Sequence, residues 1–140
     1  MSTENNFDQT LKNTLIILSD LIAFKTISGE NNNPLIDYCD SLLKKLGASS
    51  FRTFDDEKKR VNLFATLKAK KPNNKKPIIL SGHTDVVPVS KNWKTDPFKA
   101  TIVEDKLYGR GSCDMKGFIA CTLAYAPIYA QTNLDRDIHF

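Results

Sequence analysis

The sequence lacks paired cysteines and long apolar runs. Its three cysteines are odd in number and none stands in a Cys-x-x-Cys pair, which argues against a disulfide framework or a structural zinc finger. No apolar run approaches the roughly 18 residues of a membrane-spanning helix. Residues 1–10 are polar and carry no basic stretch followed by an apolar one, so no secretion or transit signal is indicated. The expectation is a cytoplasmic protein with no membrane partner.

Aromatic residues are absent from the most basic stretch, residues 67–77 (LKAKKPNNKKP), which carries much of the net charge of +4. Surfaces that bind single-stranded nucleic acid combine basic side chains with aromatic rings on which bases stack. The Pro, Asn and Lys content is instead typical of a solvated loop between two strands. We therefore expect no nucleic-acid partner. The opposite hypothesis predicts nucleic-acid binding that weakens steeply with salt.

What remains is the composition of one globular domain. The chain has 140 residues, of which 41% are hydrophobic and 26% charged, as in ordinary folded proteins. This length suffices for one core and is short for two. No repeat, low-complexity tract or linker divides the sequence, so residues 1–140 are treated as one domain or part of one.

Two helices are predicted in the N-terminal third. In residues 8–27, leucine and isoleucine recur at the three- and four-residue spacing of an amphipathic helix, at Leu11, Leu15, Leu18, Leu21 and Ile22. A second helix is predicted near residues 34–46. Asn33 can cap it, Pro34 suits its first position, and Gly47 can adopt the left-handed conformation just past its end.

Strands are predicted after the helices. Residues 49–55 and 61–67 alternate apolar and polar side chains, as half-buried strands do. The run PIIL, residues 77–80, is uniformly apolar, which predicts a strand covered on both faces at the centre of the sheet. Residues 100–109 predict two short strands around a Glu-Asp turn.

The C-terminal part adds one helix and one strand to the prediction. Residues 115–131 have helical composition, with Pro127 as a kink or late break. Residues 137–140 (DIHF) begin another strand. Together the pattern predicts an α/β fold with helices beside a sheet.

Two polar residues follow the apolar strand in SGHTDVVPV. In open α/β sheets, functional groups gather beyond the carboxyl ends of strands, where His83 and Asp85 are expected. In extended backbone, residues i and i+2 point to the same side, and a carboxylate beside an imidazole is typical of metal-bound histidine. From the residues alone, a histidine and an aspartate satisfied by loop backbone remain the other interpretation.

A second polar cluster is LYGRGSCDMKGF, residues 107–118. Its glycines predict a tight turn before the third helix, and Asp114 lies at the junction. A carboxylate there can cap the helix or act as an oxygen ligand that bridges cations, and both interpretations stay open at this point. The Gly-x-Gly in this segment lacks the third glycine of a dinucleotide loop.

The remaining reactive or aromatic residues are given structural roles. Cys113 has no recognisable activating histidine and is predicted to be packed or semi-exposed. His139 belongs to the terminal strand pattern, and Trp93 with Phe98 is predicted to anchor the loop after the site. Two interpretations stay open for Lys116 and Arg110: contact with an anionic group of a substrate, or a surface role.

SGHTDVVPV and LYGRGSCDMKGF, with WKTDPF between them, are collinear with the N-terminal part of M20-type metallopeptidases. The chain resembles that family from its first predicted helix to its last residue. The segment CDMKGF is more similar to the acetylornithine deacetylases than to the succinyl-diaminopimelate desuccinylases. The resemblance implies a zinc-exopeptidase-like catalytic domain with a mixed central sheet flanked by helices. In this chain, that sheet is expected to be incomplete.

The resemblance also assigns roles. It implies that His83 binds a metal ion, that Asp114 bridges two metal ions, and that Asp85 orients His83 and so belongs to the catalytic group. The implied cofactors are two Zn²⁺ ions per site, with Co²⁺ as an alternative. The implied reaction is hydrolysis of an N-acyl amino acid, here acetylornithine in arginine biosynthesis, with a desuccinylase or another amidohydrolase of the family as the alternative.

The sequence departs from the family's pattern at its end. The family's general-base glutamate, its remaining metal ligands and its lid and dimerisation domain would all follow the DIHF strand, and none is in the 140 residues. We therefore expect a split or truncated enzyme, inactive alone, whose partner is a separately encoded C-terminal half. The family's homodimer is in doubt here. A non-catalytic remnant or interaction module is the alternative of another class.

Overall fold

The computed structural model describes residues 3–71 and 73–140, with side chains from Phe7 onward. In these residues the chain forms three helices and six strands in the order α1 (Thr3–Ala23), α2 (Asn33–Lys44), β1 (Ser49–Phe54), β2 (Val61–Leu67), β3 (Ile78–Ile79), β4 (Thr101–Val103), β5 (Lys106–Tyr108), α3 (Lys116–Gln131) and β6 (Ile138–His139). The predicted α/β class is confirmed. None of the helices described combines the length and apolarity needed to cross a membrane.

The main sheet is mixed and has the order β1-β2-β6-β3. The first two neighbouring pairs are antiparallel, and β6 pairs with β3 in parallel. The separate hairpin of β4 and β5 turns at Glu104 and Asp105, which both have positive φ, the geometry of a type I′ turn. The sheet and hairpin were predicted from alternation and turn composition, and both are present.

The core lies between the helices and the sheet. Its fully buried apolar side chains come from all three helices and from β2, and include Leu21, Ile22, Leu35, Leu43, Ala65, Ala120 and Ala126. Only the C-terminal half of α1 contributes strongly, since Leu11 is 48% exposed. Helix α3 continues through Pro127 to Gln131, so the predicted late break does not occur.

Two predicted boundaries require correction. Helix α1 ends at Ala23 rather than near residue 27, because Thr26 leaves the helix and accepts a hydrogen bond from the Val86 N–H at 2.9 Å. Helix α2 ends at Lys44, two residues earlier than predicted, and Gly47 follows with the expected left-handed backbone at φ +83°. Long-range hydrogen bonding sets the first boundary, and a local helix-end motif sets the second.

The predicted central position of the PIIL strand is wrong. Strand β3 is at the edge of the sheet, and Ile78 and Ile79 are 44% and 62% exposed. The uniform apolar run correctly indicated a strand but not its neighbours. Within the described residues, only β6 pairs with β3, so its other edge remains uncovered.

The basic loop after β2 is a surface connection to β3, as predicted, apart from Pro72, which lies outside the described residues. Lys68 pairs with Asp137 at 2.8 Å, and Lys75 pairs with Asp135. The backbone N–H groups of Lys70 and Lys71 donate to the Leu134 carbonyl. Acidic partners on the segment before β6 therefore neutralise part of the loop's charge.

A buried carboxylate joins α2 to β1. The side chain of Asp40 is 2% exposed and accepts hydrogen bonds from Lys44, Ser50 and Arg52 at 2.6 to 2.8 Å. Burial raises the pKa of Asp40, but these donors outweigh burial and lower it to about 2. The charged form is therefore the one the fold stabilises.

This carboxylate predicts a specific acid sensitivity. Because the folded pKa of Asp40 is depressed, its contribution is present above about pH 4 and is lost as the pH falls to about 2. We expect roughly 2 kcal/mol of unfolding free energy to disappear in this window, and Asp40→Asn to remove that dependence. Urea unfolding at several pH values from 7 to 2 measures it. The control is Asp135→Asn: the pKa of Asp135 is also about 2, but this carboxylate is 43% exposed, so solvent should weaken its effect. Equal acid profiles of Asp40→Asn and the unmodified chain would contradict the prediction.

Candidate metal centre

The segment after β3 carries two of the predicted site residues. The Leu80 N–H still donates to the His139 carbonyl at 2.8 Å, and residues 81–85 then form no regular secondary structure. The ring Nδ1 of His83 lies 3.2 Å from Asp85 Oδ1 and 3.1 Å from the Asp85 carbonyl oxygen. The expectation that residues i and i+2 face the same side agrees with this geometry.

Asp114 approaches the same imidazole from the loop between β5 and α3. Its Oδ1 lies 3.0 Å from His83 Nε2, although the residues are 31 positions apart in the chain. Helix α3 begins at Lys116, and its N-cap position is Met115, with no side-chain capping bond. The capping interpretation of Asp114 is therefore not realised, and its carboxylate instead faces His83.

The hydrogen-bond partners of His83 bear on which of its ring nitrogens carries a proton. A backbone carbonyl can only accept, so the contact of Nδ1 with the Asp85 carbonyl is a hydrogen bond in the tautomer that carries its proton on Nδ1. In that neutral tautomer, Nε2 is an acceptor that faces the Asp114 carboxylate oxygen. A positive charge, either a second proton on the ring or a metal ion, makes this contact favourable.

The electrostatics agree with that reasoning. Partial burial lowers the pKa of His83, but the Asp85 carbonyl and the Asp114 carboxylate outweigh burial and raise it above its usual value. The hydrogen bond from Ser28 is the main cause that lowers the pKa of Asp85. Without a metal ion, the arrangement favours an imidazolium flanked by two carboxylates.

The loop between α1 and α2 clamps this segment in place. Thr26 Oγ1 donates to the Thr84 carbonyl at 2.6 Å, and the Ser28 N–H donates to the Val86 carbonyl at 2.9 Å. Ser28 Oγ also donates to Asp85 Oδ2 at 2.6 Å. Thr26 and Ser28 were not among the site residues predicted from the sequence. The available signal was the short, polar TISGENNN connection between two helices.

Asn32 ties the same segment to the sheet. Its amide exchanges two hydrogen bonds with the backbone of Val61 in β2 and also donates to Thr84 Oγ1 at 3.2 Å. The Thr84 backbone and hydroxyl are thus held by two different residues of the clamp. The candidate site is supported by the sheet and by both N-terminal helices.

Two glycines allow the Asp114 loop to lie close to its surroundings. Gly111 has φ +83°, and a Cβ there would be 2.7 Å from Val86 Cγ1. A Cβ on Gly117 would overlap the Ser112 carbonyl oxygen. These approaches require the absence of a side chain, so the glycines position the loop that carries Asp114.

Lys116 has neither of the roles considered for it from the sequence. It is fully buried, and its Nζ donates to the carbonyls of Leu21 and Phe24 at 2.8 Å each. Burial lowers its pKa to about 8. The ammonium group donates to carbonyls at the end of α1, where helical partners run out, and the Phe24 carbonyl also accepts from the Thr26 N–H at 3.0 Å. Both surface exposure and substrate contact are therefore excluded for Lys116.

The other residues considered from the sequence lie around the site or away from it. The Arg110 guanidinium stacks 5.0 Å above the Trp93 ring, consistent with an aromatic anchor. Cys113 is exposed, so of the packed or semi-exposed thiol that was predicted, the packed alternative is wrong. His139 contacts Thr66 Oγ1 at 2.9 Å and the Phe64 ring, which fits its predicted structural role.

Two cavities meet at His83. The larger, about 820 Å³, is lined by polar residues of the clamp and by apolar side chains such as Ile36 and Leu123. The smaller, about 270 Å³, is lined by the Asp114 loop and by Asp85. Small-molecule sites commonly have volumes of several hundred Å³, so the imidazole is accessible from a space of suitable size.

The donor set fits part of a metal site. An imidazole nitrogen and a carboxylate oxygen are ordinary zinc ligands, and two ligands of one tetrahedral ion lie about 3.3 Å apart, close to the 3.0 Å observed here. Catalytic zinc sites use three protein ligands. Among the described residues, no group of three or more His, Cys, Asp or Glu side chains is arranged to hold a metal. The described part of the chain thus brings two donors together at this site.

Comparison with known proteins places this geometry in context. The protein family described as Peptidase family M20/M25/M40 matches residues 79–140, which include His83, Asp85 and Asp114. Two curated relatives are succinyl-diaminopimelate desuccinylases, from Rickettsia akari (42% identity over 122 residues, 83% of this chain) and Orientia tsutsugamushi (38%, 85% of this chain). The chain spans only about a third of their length, 31% and 30%.

Solved structures show the same fold. Human carnosine dipeptidase 1 superposes with a TM-score of 0.75 at 22% identity, covering 97% of this chain and 32% of that one. A Zn-dependent exopeptidase from Parabacteroides distasonis superposes with a TM-score of 0.59 at 16% identity, covering 92% and 45%. The predicted zinc-exopeptidase-like catalytic fold is confirmed.

Proposed function

We propose that this chain, which matches peptidase family M20/M25/M40 through residues 79–140, supplies part of the metal site of a metal-dependent amidohydrolase. The observation that supports this proposal is the contact of His83 Nε2 with Asp114 Oδ1 at 3.0 Å, while the other ring nitrogen, Nδ1, faces Asp85. Two segments far apart in the chain converge there to present one nitrogen and one carboxylate. Hydrolysis of an N-acyl bond is the reaction class proposed.

For the acyl group, we propose succinyl. The prediction of acetylornithine as substrate rests on the sequence of residues 113–118 alone. By contrast, relatives that align over more than four-fifths of this chain are named desuccinylases. Their identity of about 40% favours the desuccinylase alternative. The proposed reaction of the whole protein is therefore cleavage of N-succinyl-diaminopimelate into succinate and diaminopimelate, and the place in arginine biosynthesis loses its support.

Each residue has a definite part in the proposal. His83 offers the Nε2 lone pair while Asp85 holds the proton on Nδ1. Asp114 offers two carboxylate oxygens, which suits a ligand shared by two ions. A bound Zn²⁺ or Co²⁺ ion would polarise the amide carbonyl and lower the pKa of a water molecule. The chain's own contribution is to hold these donors in place before the ion arrives.

We propose that the 140-residue chain has little or no hydrolase activity alone. The described residues bring two donors together where a catalytic zinc site uses three, and no described carboxylate beyond Asp85 and Asp114 lies within hydrogen-bond reach of His83. A second polypeptide that supplies further ligands and a cytoplasmic location are parts of this proposal, and the family's homodimer is not. A non-catalytic remnant is the competing outcome.

Metal binding tests the proposal directly. We expect Co²⁺, titrated into the metal-free chain by calorimetry, to bind at least about tenfold more weakly to His83→Ala and to Asp114→Asn than to the unmodified chain. His139→Asn is the matched control, because it removes the chain's other histidine outside the site and should leave Co²⁺ binding unchanged. Equal Co²⁺ affinity in the unmodified chain and in Asp114→Asn would overturn the proposed ligand pair.

Hydrolysis supplies the second arm of this experiment. The purified, zinc-supplemented chain is assayed with N-succinyl-diaminopimelate and with N-acetylornithine, and His83→Ala serves as the blank for host enzymes. We expect both substrates to remain intact. Hydrolysis of either substrate above the His83→Ala blank would show that the chain completes its own site and would contradict the proposed inactivity.

A further inference from the structure

Ser28 contacts Asp85, the carboxylate that lies on the Nδ1 side of His83 and not on the Nε2 side proposed to bind metal. Its Oγ donates to Asp85 Oδ2 at 2.6 Å, while Asp85 Oδ1 lies 3.2 Å from His83 Nδ1. The two oxygens of one carboxylate thus serve different partners. Fixing the first oxygen determines where the second one points.

The hydroxyl of Ser28 has a single proton and two acceptors within reach. The Asp85 oxygen is at 2.6 Å and the Val86 carbonyl at 3.4 Å. A hydroxyl bond to a charged oxygen is typically about 2.5–2.7 Å long, and 3.4 Å is beyond the ordinary range. The Ser28 hydroxyl therefore donates its hydrogen bond to the Asp85 carboxylate.

The backbone prevents Ser28 from moving away. Its N–H donates to the Val86 carbonyl, and the Val86 N–H donates to the Thr26 carbonyl, both at 2.9 Å. Ile27 and Val86 form a parallel bridge between these bonds. The donor is thus held before any ligand arrives.

The carboxylate needs such a restraint. The Asp85 side chain is 53% exposed, so without a fixed donor water would compete for both oxygens and the side chain would rotate. The backbone carbonyl of Asp85, 3.1 Å from Nδ1, would then be the remaining acceptor for the ring proton. Loss of Ser28 should weaken the hold on that proton rather than abolish it.

We propose that Ser28 is a positioning residue: its hydroxyl orients Asp85 so that the proton of neutral His83 stays on Nδ1 and Nε2 remains free for a metal ion. The link to metal binding rests on the function proposed above. The orientation of the imidazole itself does not, because all its partners belong to this chain.

The tautomer of His83 tests this role without any metal. The chain has two histidines, so a long-range ¹H–¹⁵N spectrum of the labelled, metal-free protein resolves both rings at a pH where both are neutral. We expect Ser28→Ala to increase the ratio of the Nε2–H to the Nδ1–H form of His83 by about fivefold, the size of effect that one hydrogen bond produces. The ratio for His139 should stay constant.

Three further variants sharpen the result. Ser28→Thr keeps the hydroxyl and should preserve the original His83 ratio, and Ser90→Ala, an exposed serine elsewhere, should also leave it unchanged. Asp85→Ala sets the upper limit, because it removes the carboxylate itself. Urea unfolding of the same samples measures stability. If Ser28→Ala lowers stability but leaves the His83 ratio unchanged, Ser28 only closes the loop and the proposal is overturned. Because no metal is present, failure of the metal site would not alter this outcome.

Discussion

Replacing Lys116 with alanine is expected to lower the free energy of unfolding by about 4 kcal/mol. The substitution empties the space of a fully buried side chain and removes the Nζ donor from the Leu21 and Phe24 carbonyls, of which Phe24 keeps the bond from the Thr26 N–H. A large-to-alanine change in a core costs about 2–5 kcal/mol, and each buried carbonyl left without a donor costs about 1–3 kcal/mol. The substitution also removes the cost of burying an ammonium group, which offsets part of this loss of stability.

Lys116→Met separates these contributions. Methionine keeps most of the apolar stem but cannot donate, so we expect it to lose roughly half as much stability as alanine does. Urea unfolding of both variants beside the unmodified chain is the measurement. A change below about 1 kcal/mol in Lys116→Ala would mean that α1 and α3 do not depend on this side chain.

Replacing Gly117 with alanine is expected to destabilise the chain by about 3 kcal/mol, although helix propensity favours the change. Gly117 is in the first turn of α3, where alanine would add up to about 1 kcal/mol of stability by propensity alone. The new Cβ would overlap the Ser112 carbonyl oxygen, which is backbone and cannot rotate away. Overpacking of this kind costs about 1–3 kcal/mol and occasionally more, so destabilisation should prevail.

Gly82→Ala is the matched control for Gly117→Ala. Its Cβ would meet the Met115 and Ile119 side chains at 3.0 and 3.2 Å, and such side-chain ends can move. We expect a loss of less than about 1 kcal/mol there. Thermal unfolding followed by circular dichroism compares the two variants. An unchanged or raised midpoint in Gly117→Ala would show that the loop carrying Asp114 can move away from α3 at little cost.

Much of the fold was predictable because its signals are local. The three- and four-residue spacing of leucines placed α1, alternation placed β1 and β2, and Gly47 marked the end of α2. The pairing of His83 with Asp85 was also predictable, since two residues separated by one in extended backbone face the same side. Each of these inferences depends on residues only a few positions apart.

The errors have a shared physical cause. For Lys116, a surface role and contact with a substrate were both considered because lysines prefer water or a charged partner, but the end of α1 provides two carbonyl acceptors in the core. Strand β3 was placed at the centre because its side chains are apolar, although apolar composition does not specify which strands pair with it. Ser28 was overlooked because its partner Asp85 is 57 positions away.

The sequence by itself determined the elements, the candidate chemistry of His83, Asp85 and Asp114, and the resemblance to the M20 family. Only the tertiary structure decided that Asp114 faces His83 instead of capping α3, and that the loop after α1 holds the segment that carries His83 and Asp85. The reason is that propensity and periodicity act over a few residues. Which polar groups meet across 31 or 57 positions depends on how the helices and the sheet pack around a common core.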